Sequence, residues 1–223
     1  MYTLYGGGYT RAHMTEMVFA EIQMPFEVKL VNTLKGENRT PQFLEINPRG
    51  FVPALRTPGG TVLFETAAIN LYLAELHGAG LLAPSTDDPD RGLFLSSLFY
   101  ITDELEPALK RYFYPNRYGV RESDELKIRE KSLDTICHIL GVINKQLSNV
   151  GPFHLGDRYS LVDLVLSFWM NSIMDKSKVL HFHAINRCVS RVEVRPLLQK
   201  LFLDLKERTE AYSDIDRRGE RIP

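Results

Sequence analysis

Residues that could take part in binding chemistry lie close together between residues 50 and 69, in the stretch GFVPALRTPGGTVLFETAAI. Pro53 stands where a strand should begin, and Glu65 and Thr66 stand where a helix should begin. Backbone N–H groups and the helix dipole at such a start favour a bound carboxylate. Taken singly, Pro53 could simply start an edge strand and Thr66 could simply cap the helix, so this stretch alone leaves binding and structural roles open.

The glycine-rich stretch GGGYTRA at residues 6–12 is a second candidate. A dinucleotide-binding loop has the pattern G-x-G-x-x-G, but after Gly6 and Gly8 the third glycine position holds Arg11. A Walker loop requires Gly-Lys followed by Ser or Thr, and this stretch has no lysine. We therefore expect the glycines to let the backbone bend close to a ligand rather than to hold a nucleotide.

The cysteines and histidines argue against redox and metal chemistry. Cys137 and Cys188 are the two cysteines, and they form neither a C-x-x-C redox motif nor part of a zinc cluster. Both are expected to be core thiols. His181 and His183 are two residues apart, a spacing that does not place them side by side on a helix. No metal site is therefore expected.

Composition excludes several function classes. The 223 residues include 44% hydrophobic and 25% charged residues, which is typical of a globular protein with a full core. A net charge of −1 and the absence of a polybasic run argue against binding to nucleic acid or to an anionic membrane. No apolar run reaches about 18 residues, so no transmembrane helix is expected. The first residues do not resemble a signal peptide, which makes the cytoplasm the expected location.

The first 77 residues predict the order β-α-β-α-β-β-α. A strand at 2–5, a helix at 11–23 and an alternating strand at 26–32 form a βαβ unit, whose strands should pair in parallel. Thr40 and Pro41 should start a short helix. The segments VPALRT and TVLF, joined by PGG, should form an antiparallel hairpin before a helix at 65–77.

The remaining residues predict a helical bundle. Residues 78–88 are rich in Gly, Pro and small polar residues and are typical of a linker. Asp88 should cap the next helix, and Pro107 should kink or end it. A long helix is expected at 124–148, and Ser160 with Asp163 should form a capping box before a central apolar helix. The predicted fold class is α/β plus all-α, with a first domain at 1–77, a linker at 78–88 and a helical domain at 89–223.

Four motifs resemble those of the cytosolic glutathione transferase superfamily, in the same order and at similar spacing. They are LYGGGYTRA after the first strand, GENRTPQFLEINPRGFVPAL with its Val-Pro, FETAAINLYLAE at a helix start, and GDRYSLVDLVL at the capped helix of the second domain. The resemblance covers nearly the whole chain. It implies a thioredoxin-like domain followed by a helical domain, glutathione as the co-substrate, and a homodimer with an isologous two-fold interface.

The resemblance also implies a binding site at the hairpin. In this superfamily the proline that matches Pro53 has a cis peptide bond, which exposes the main-chain N–H and C=O of the preceding residue, here Val52. Free peptide groups at a strand edge pair with a short antiparallel partner, and in the family that partner is the cysteinyl backbone of glutathione. Thr66 and the helix start would hold a carboxylate of glutathione, and Glu65 would meet its ammonium group.

A third contact is implied by the segment GENRT. Asn38 and Arg39 fall on positions that hold the glycyl carboxylate of glutathione in the plant-type phi class. Arg39 offers a bidentate fork for such a carboxylate, although it could instead be a solvated loop arginine. Family members often have a polar residue where Phe51 stands, so one of the family's contacts with the peptide could be missing here.

Thiol activation is implied at the start of the first helix. A cysteine thiol has an ordinary pKa of about 8.5 and needs a donor aimed at its sulfur to become a thiolate. Thr10 matches the serine of phi-class enzymes and is the first candidate for this donor, with Tyr9 and Arg11 as the others. Arg11 falls where beta-class enzymes carry cysteine. The alternative is that Thr10 only caps the helix.

The second substrate is indicated only by its class. In the family, a region near the end of the first bundle helix faces the second-substrate pocket. Aromatic rings there would suit a flat apolar electrophile and arginines an anionic one, although a core stripe with a solvated end is the alternative. The residues concerned are Arg111, Tyr112, Phe113, Tyr114, Arg117 and Tyr118. The implied activity is attack of glutathione on an electrophilic small molecule, and the alternative is a non-catalytic binding or regulatory module.

Overall fold

The computed structural model describes residues 1–8, 10–173 and 176–213. Contacts divide the chain into two compact units. The first contains Met1–Ser85 together with the described residues from Val194 onward, and the second contains Thr86–Glu193. The predicted domain limits at residues 77 and 88 stay predictions, because compactness alone does not show which segments fold independently.

The first unit is built on a four-stranded mixed sheet with the order β2-β1-β3-β4. Strands β1 and β2 are parallel, and β1–β3 and β3–β4 are antiparallel, which confirms the predicted thioredoxin-like arrangement. The elements are β1 (Tyr2–Gly6), α1 (Ala12–Ile22), β2 (Phe26–Leu30), a 3-10 turn (Glu37–Arg39), α2 (Pro41–Ile46), β3 (Ala54–Arg56), β4 (Val62–Phe64) and α3 (Thr66–His77).

Two sets of contacts hold this sheet and its helices. Thr15 of α1 donates its hydroxyl to Asn70 Oδ1 of α3 at 2.8 Å, and both side chains are buried. A small cluster packs α2 against the ends of β1 and β3, and Val52 belongs to it. Its buried members are Tyr5, Val31, Phe43, Val52 and Ala54. Because Val52 buries its side chain in this cluster, the position of its main chain is fixed by packing as well as by the loop.

The second unit is helical, as predicted. It contains α4 (Arg91–Phe99), a π-helical segment (Tyr100–Leu105), α5 (Glu106–Phe113), 3-10 turns at Pro115–Arg117, Glu122–Asp124 and Lys176–Lys178, α6 (Glu125–Val150), α7 (Leu161–Ser172) and α8 (His183–Glu193). A further helix, α9 (Gln199–Ser213), belongs to the first unit. Within the described ranges, no helix combines the length and the hydropathy that crossing a membrane would require.

One local prediction needs correction, and another is narrowed to one of its two alternatives. The N-cap of α4 is Asp90 rather than Asp88, whose carboxylate instead accepts the N–H of Asp90 at 2.8 Å. Pro107 was expected to kink or end its helix, and it does not end it, since α5 continues through it. A proline lacks the N–H that an α-helix would use, and the wider turns of the π-helical segment directly before it accommodate that gap.

The capping box of α7 is confirmed. Asp163 accepts the main-chain N–H of Ser160 at 2.9 Å and its hydroxyl at 3.0 Å. Every residue from Leu161 to Ser172 is buried, as expected for the central helix of the bundle.

Candidate functional site

The glycine loop after β1 brings the backbone close to the start of α1. Gly6, Gly7 and Gly8 all have positive φ angles, at 152°, 94° and 63°. A Cβ atom on Gly6 would lie 2.5 Å from the Cβ of Ala12, and one on Gly7 would lie 2.6 Å from Leu30 Cδ2. The backbone conformation therefore favours glycine at all three positions, and at Gly6 the close approach of Ala12 also leaves no space for a side chain.

Thr10 closes this loop with its side chain. Its hydroxyl donates to the carbonyl of Gly7 at 2.9 Å and accepts the N–H of Ala12 at 3.3 Å. The hydroxyl therefore caps the first turn of α1, and its proton is directed at Gly7. Arg11 follows with a helical backbone and a half-buried side chain. Tyr9, the other predicted donor, lies outside the described residues.

Val52 carries the main-chain groups that were expected from the family resemblance to be free. The Val52–Pro53 peptide bond is cis, as the family pattern implied. Among the described residues, neither the N–H nor the C=O of Val52 has a hydrogen-bond partner. One donor and one acceptor of the main chain are thus left for a ligand.

Two buried asparagines donate hydrogen bonds to the carbonyls of the two residues that precede Val52. Asn38 donates its amide to the carbonyl of Gly50 at 2.7 Å, and Asn47 donates its amide to the carbonyl of Phe51 at 2.8 Å. The amide of Asn38 thus supports the loop, and its expected contact with the ligand stays a prediction. The role of Asn47 was not predicted from the sequence. It could have been suggested by the Asn-Pro pair that ends α2.

The start of α3 contains the predicted acid and hydroxyl. Glu65 precedes the helix with a φ of 72° and a ψ of 116°, a conformation that non-glycine residues rarely adopt. Thr66 is only 4% exposed, and its Oγ1 has no hydrogen-bond partner among the described residues. A buried hydroxyl without a partner is costly, so it points to a group that joins the site from outside.

Glu65 is paired across the site with Arg49. The Nη1 of Arg49 lies 3.0 Å from Oε1 of Glu65, and both side chains are more than half exposed. An ion pair this exposed contributes little to stability, so either partner can be released to a ligand at small cost.

The strand register places these groups at one end of the sheet. Ala54 lies opposite Tyr5 on one side and opposite Phe64 on the other. At this end of the sheet, β1 runs into the glycine loop, β3 is preceded by the Val52–Pro53 bond, and β4 is followed by Glu65. The hydroxyl of Thr10 and the Cβ of Val52 each lie 3.7 Å from the position that a Cβ on Gly6 would take.

Arg39 lies beside this end of the sheet with an exposed guanidinium. Its Nη1 donates to the carbonyl of Arg49 at 3.3 Å, and its plane lies over the ring of Phe51 with 5.2 Å to the ring centroid. The stacking holds the fork near the loop while leaving further N–H donors for an anion. Phe51 itself is 45% exposed, so its ring forms part of the surface here.

Neither cysteine belongs to this group of residues. Cys137 and Cys188 both lie in the second unit, in α6 and α8. Burial raises the pKa of both thiols, and the neighbouring carboxylates of Asp134 and Asp163 respectively add to the effect. The first unit, which contains the residues of this site, therefore has no cysteine of its own.

The aromatic and basic cluster lies in the second unit, after the π-helical segment. Arg117 lies over the ring of Tyr114 with 4.2 Å to the centroid, and Arg129 lies over the ring of Tyr112 with 5.6 Å. Tyr112 also lines a small apolar cavity with Leu109, Ile136, Cys137 and others. The cluster thus combines aromatic surface with cations, as the sequence predicted.

Comparison with protein families matches residues 10–76 to the model described as "Glutathione S-transferase, N-terminal domain". Glutathione S-transferase PM239X14 of Arabidopsis thaliana is 30% identical over 172 residues, which cover 72% of this chain and 76% of that protein. The disulfide-bond oxidoreductase YfcG of Escherichia coli is 28% identical over 203 residues, covering 88% of this chain and 92% of that protein.

The match to glutathione S-transferase D7 of Drosophila melanogaster is shorter. It has 28% identity over 156 residues and covers 68% of this chain, and the chain spans 65% of the length of D7. Among solved structures, glutathione transferase URE2P6 from Phanerochaete chrysosporium, in complex with oxidized glutathione, has a TM-score of 0.81. The match covers 93% of this chain and 97% of that structure at 20% identity, so it supports the fold.

Proposed function

Because this chain belongs to the glutathione transferase superfamily, we propose that it binds glutathione at the end of the sheet and activates its thiol for attack on an electrophilic small molecule. The observation that carries the proposal is that, among residues 1–8, 10–173 and 176–213, neither the main-chain N–H and C=O of Val52 nor the buried hydroxyl of Thr66 has a hydrogen-bond partner. Both are groups that a peptide with a charged end would satisfy.

Each part of glutathione has a complementary group in this arrangement. The cysteinyl main chain would pair with Val52 as a short antiparallel strand. The carboxylate of the γ-glutamyl end would be bound by Thr66 and the first N–H groups of α3, where the helix dipole favours an anion. Glu65 would receive the ammonium group after release from Arg49, and Arg39 would bind the glycyl carboxylate.

Thiol activation would take place at the start of α1. The Thr10 hydroxyl can serve as donor if it rotates from the Gly7 carbonyl towards the sulfur, because a hydroxyl proton moves freely about its C–O bond. The helix dipole of α1 would favour the thiolate in the same direction. Tyr9 and Arg11 are the other groups that would act on the sulfur if Thr10 does not.

Replacing Thr10 by valine tests this role. Glutathione affinity should stay within about threefold of the wild-type value, while turnover at neutral pH should fall by about fivefold to tenfold, because a donor that favours the anion is lost. Calorimetric titration with glutathione and the ultraviolet absorbance of the bound thiolate measure the two effects. Thr10→Ser, which keeps the hydroxyl, is the matched control and should behave like the wild type.

The same measurements separate the enzyme from a non-catalytic binding or regulatory module. One observation favours such a module: the Thr10 hydroxyl already donates its proton to the Gly7 carbonyl rather than offering it to a ligand. A module would bind no glutathione, or would bind it with its thiol protonated at neutral pH. An enzyme would bind glutathione and show thiolate absorbance. A glutathione titration of the wild-type protein that shows neither binding nor thiolate would therefore contradict the proposed function.

A second candidate reaction is glutathione-dependent reduction of disulfides, which the similarity to YfcG favours. The glutathione thiolate would attack one sulfur of a disulfide, form a mixed disulfide and release the other sulfur as a thiolate. Activity towards a disulfide, compared with activity towards an aromatic electrophile at equal glutathione concentration, distinguishes the two reactions.

The proposal extends to the assembly and location of the protein. We expect a homodimer with an isologous interface, because two-fold symmetric dimers are the commonest homo-oligomers. We also expect a cytoplasmic location. Light scattering of the purified protein should therefore give twice the mass of one 25.5 kDa chain.

A further inference from the structure

A long-range hydrogen bond ties the glycine loop to helix α9. Nη1 of Arg208 donates to the carbonyl of Gly8 at 2.7 Å, across a separation of 200 residues. Both residues belong to the first unit. Gly8 follows Gly6 and Gly7, so the bond attaches to a segment that has no side chains of its own with which to pack.

The glycine loop needs such an attachment. Three consecutive glycines lose more backbone entropy on folding than other residues would, and they contribute no side-chain packing. Gly6 is the last residue of β1, and its carbonyl accepts the N–H of Val31 at 2.9 Å. The bonds that Thr10 makes to Gly7 and Ala12 are local and fix only the turn itself. The Arg208 bond joins Gly8, beyond the end of the strand, to a separate element.

Helix α9 is itself firmly joined to α1. Nε2 of His13 donates to the carbonyl of Leu201 at 2.8 Å, and the His13 ring is 1% exposed. Arg195, just before α9, binds the buried carboxylate of Glu21 through Nε at 3.0 Å and Nη2 at 2.6 Å. Arg208 therefore projects from a helix whose position on α1 is fixed at two other points.

We propose that Arg208 is a positioning residue for thiol activation, holding the Gly8 carbonyl so that the loop and the first turn of α1 keep their geometry around the bound sulfur. If the Gly8 carbonyl oxygen turned towards the sulfur, its partial negative charge would repel a thiolate. The hydrogen bond from the Arg208 guanidinium instead keeps this oxygen directed at α9. The thiol-activating part of this inference rests on the proposed function, while the positioning of the loop does not.

The first readout uses the protein without glutathione. In Arg208→Gln, amide hydrogen exchange in residues 6–8 and 10–12 should become about fivefold faster, because one charge-assisted bond is lost. Lys200→Gln removes a cation from an exposed residue of the same helix and should leave the exchange unchanged. If the rates of Arg208→Gln and wild type are equal, Arg208 does not position the loop and the inference is wrong.

The second readout uses bound glutathione. The pH profile of turnover in Arg208→Gln should shift to higher pH, with turnover about fivefold lower at neutral pH, recovery at high pH and little change in glutathione affinity. Arg208→Lys, which keeps a charged donor, should restore part of the loss. A profile that matches that of Lys200→Gln would overturn the role in thiol activation. If the wild type binds no glutathione, the proposed function fails, and the exchange rates still decide whether Arg208 positions the loop.

Discussion

Replacing Thr66 by valine should weaken glutathione binding by about tenfold to a hundredfold and raise the stability of the ligand-free protein by about 1 kcal/mol. The two effects have opposite signs because the hydroxyl has no hydrogen-bond partner in the part of the chain that the structure describes. Without a ligand, valine removes a desolvated polar atom at nearly constant volume. With glutathione bound, valine would remove the proposed hydrogen bond to a carboxylate, a class that is among the stronger hydrogen bonds in proteins.

Calorimetric titration and urea denaturation of the same samples measure both effects. Thr66→Ser keeps a hydroxyl and should bind glutathione nearly as well as the wild type. Thr61→Val makes the same chemical change at an exposed position of the neighbouring hairpin turn, and it should alter neither quantity. A Thr66→Val protein that is more stable but binds glutathione with unchanged affinity would show that this hydroxyl does not reach the ligand.

The elements of the first unit could be predicted because their signals are local. The alternation of Phe26, Val28 and Leu30, the Thr40-Pro41 start and the PGG turn each depend on neighbours in sequence, and each led to the strand, helix or hairpin that the structure has. The capping box of Ser160 and Asp163 was predictable for the same reason, since both bonding partners lie within one turn.

The residues that were missed depend on partners that are distant in sequence. The bond of Arg208 to Gly8 and that of Thr15 to Asn70 join residues 200 and 55 positions apart, and no periodicity records them. Leu76 lies at helical spacing from the buried Leu73 and Ile69, which suggests the same buried stripe of α3, but it is 55% exposed. The stripe is set by which helix packs beside α3, and helical spacing alone does not determine that.

The site residues show the same division. The helix start at Glu65 and Thr66 could be placed from the sequence, but the exposed pairing of Glu65 with Arg49 could not, because the two residues come from separate segments. Asn38 was predicted to contact the ligand from its position in a motif, and that contact stays a prediction. Its amide also binds the Gly50 carbonyl, a contact that only the folded loop reveals.

The largest stability effect is expected at Asp163, in the second unit. Its Oδ1 accepts the N–H of His154 at 2.9 Å, the Nδ1–H of the same residue at 2.8 Å and the thiol of Cys188 at 3.5 Å. Its Oδ2 accepts both groups of Ser160 that form the capping box. The carboxylate is fully buried, so one side chain satisfies five donors from three segments of the unit.

Asp163→Asn should lower the free energy of unfolding by about 3 kcal/mol or more. The asparagine amide has only one acceptor oxygen, and its NH2 group would face N–H, O–H or S–H donors that are already buried. Urea denaturation measures the loss, and Asp157→Asn, at an exposed position of the same loop, should change stability by less than about 0.5 kcal/mol.

The ligand atoms of His154, Asp163 and Cys188 lie within 4.8 Å of one another, so the wild type is also measured with a chelator. Unchanged wild-type stability in the chelator assigns the effect to hydrogen bonds rather than to a metal ion. Equal losses in Asp163→Asn and Asp157→Asn would contradict the prediction. Folded Asp163→Asn protein should still bind glutathione, because Val52, Glu65 and Thr66 all belong to the first unit.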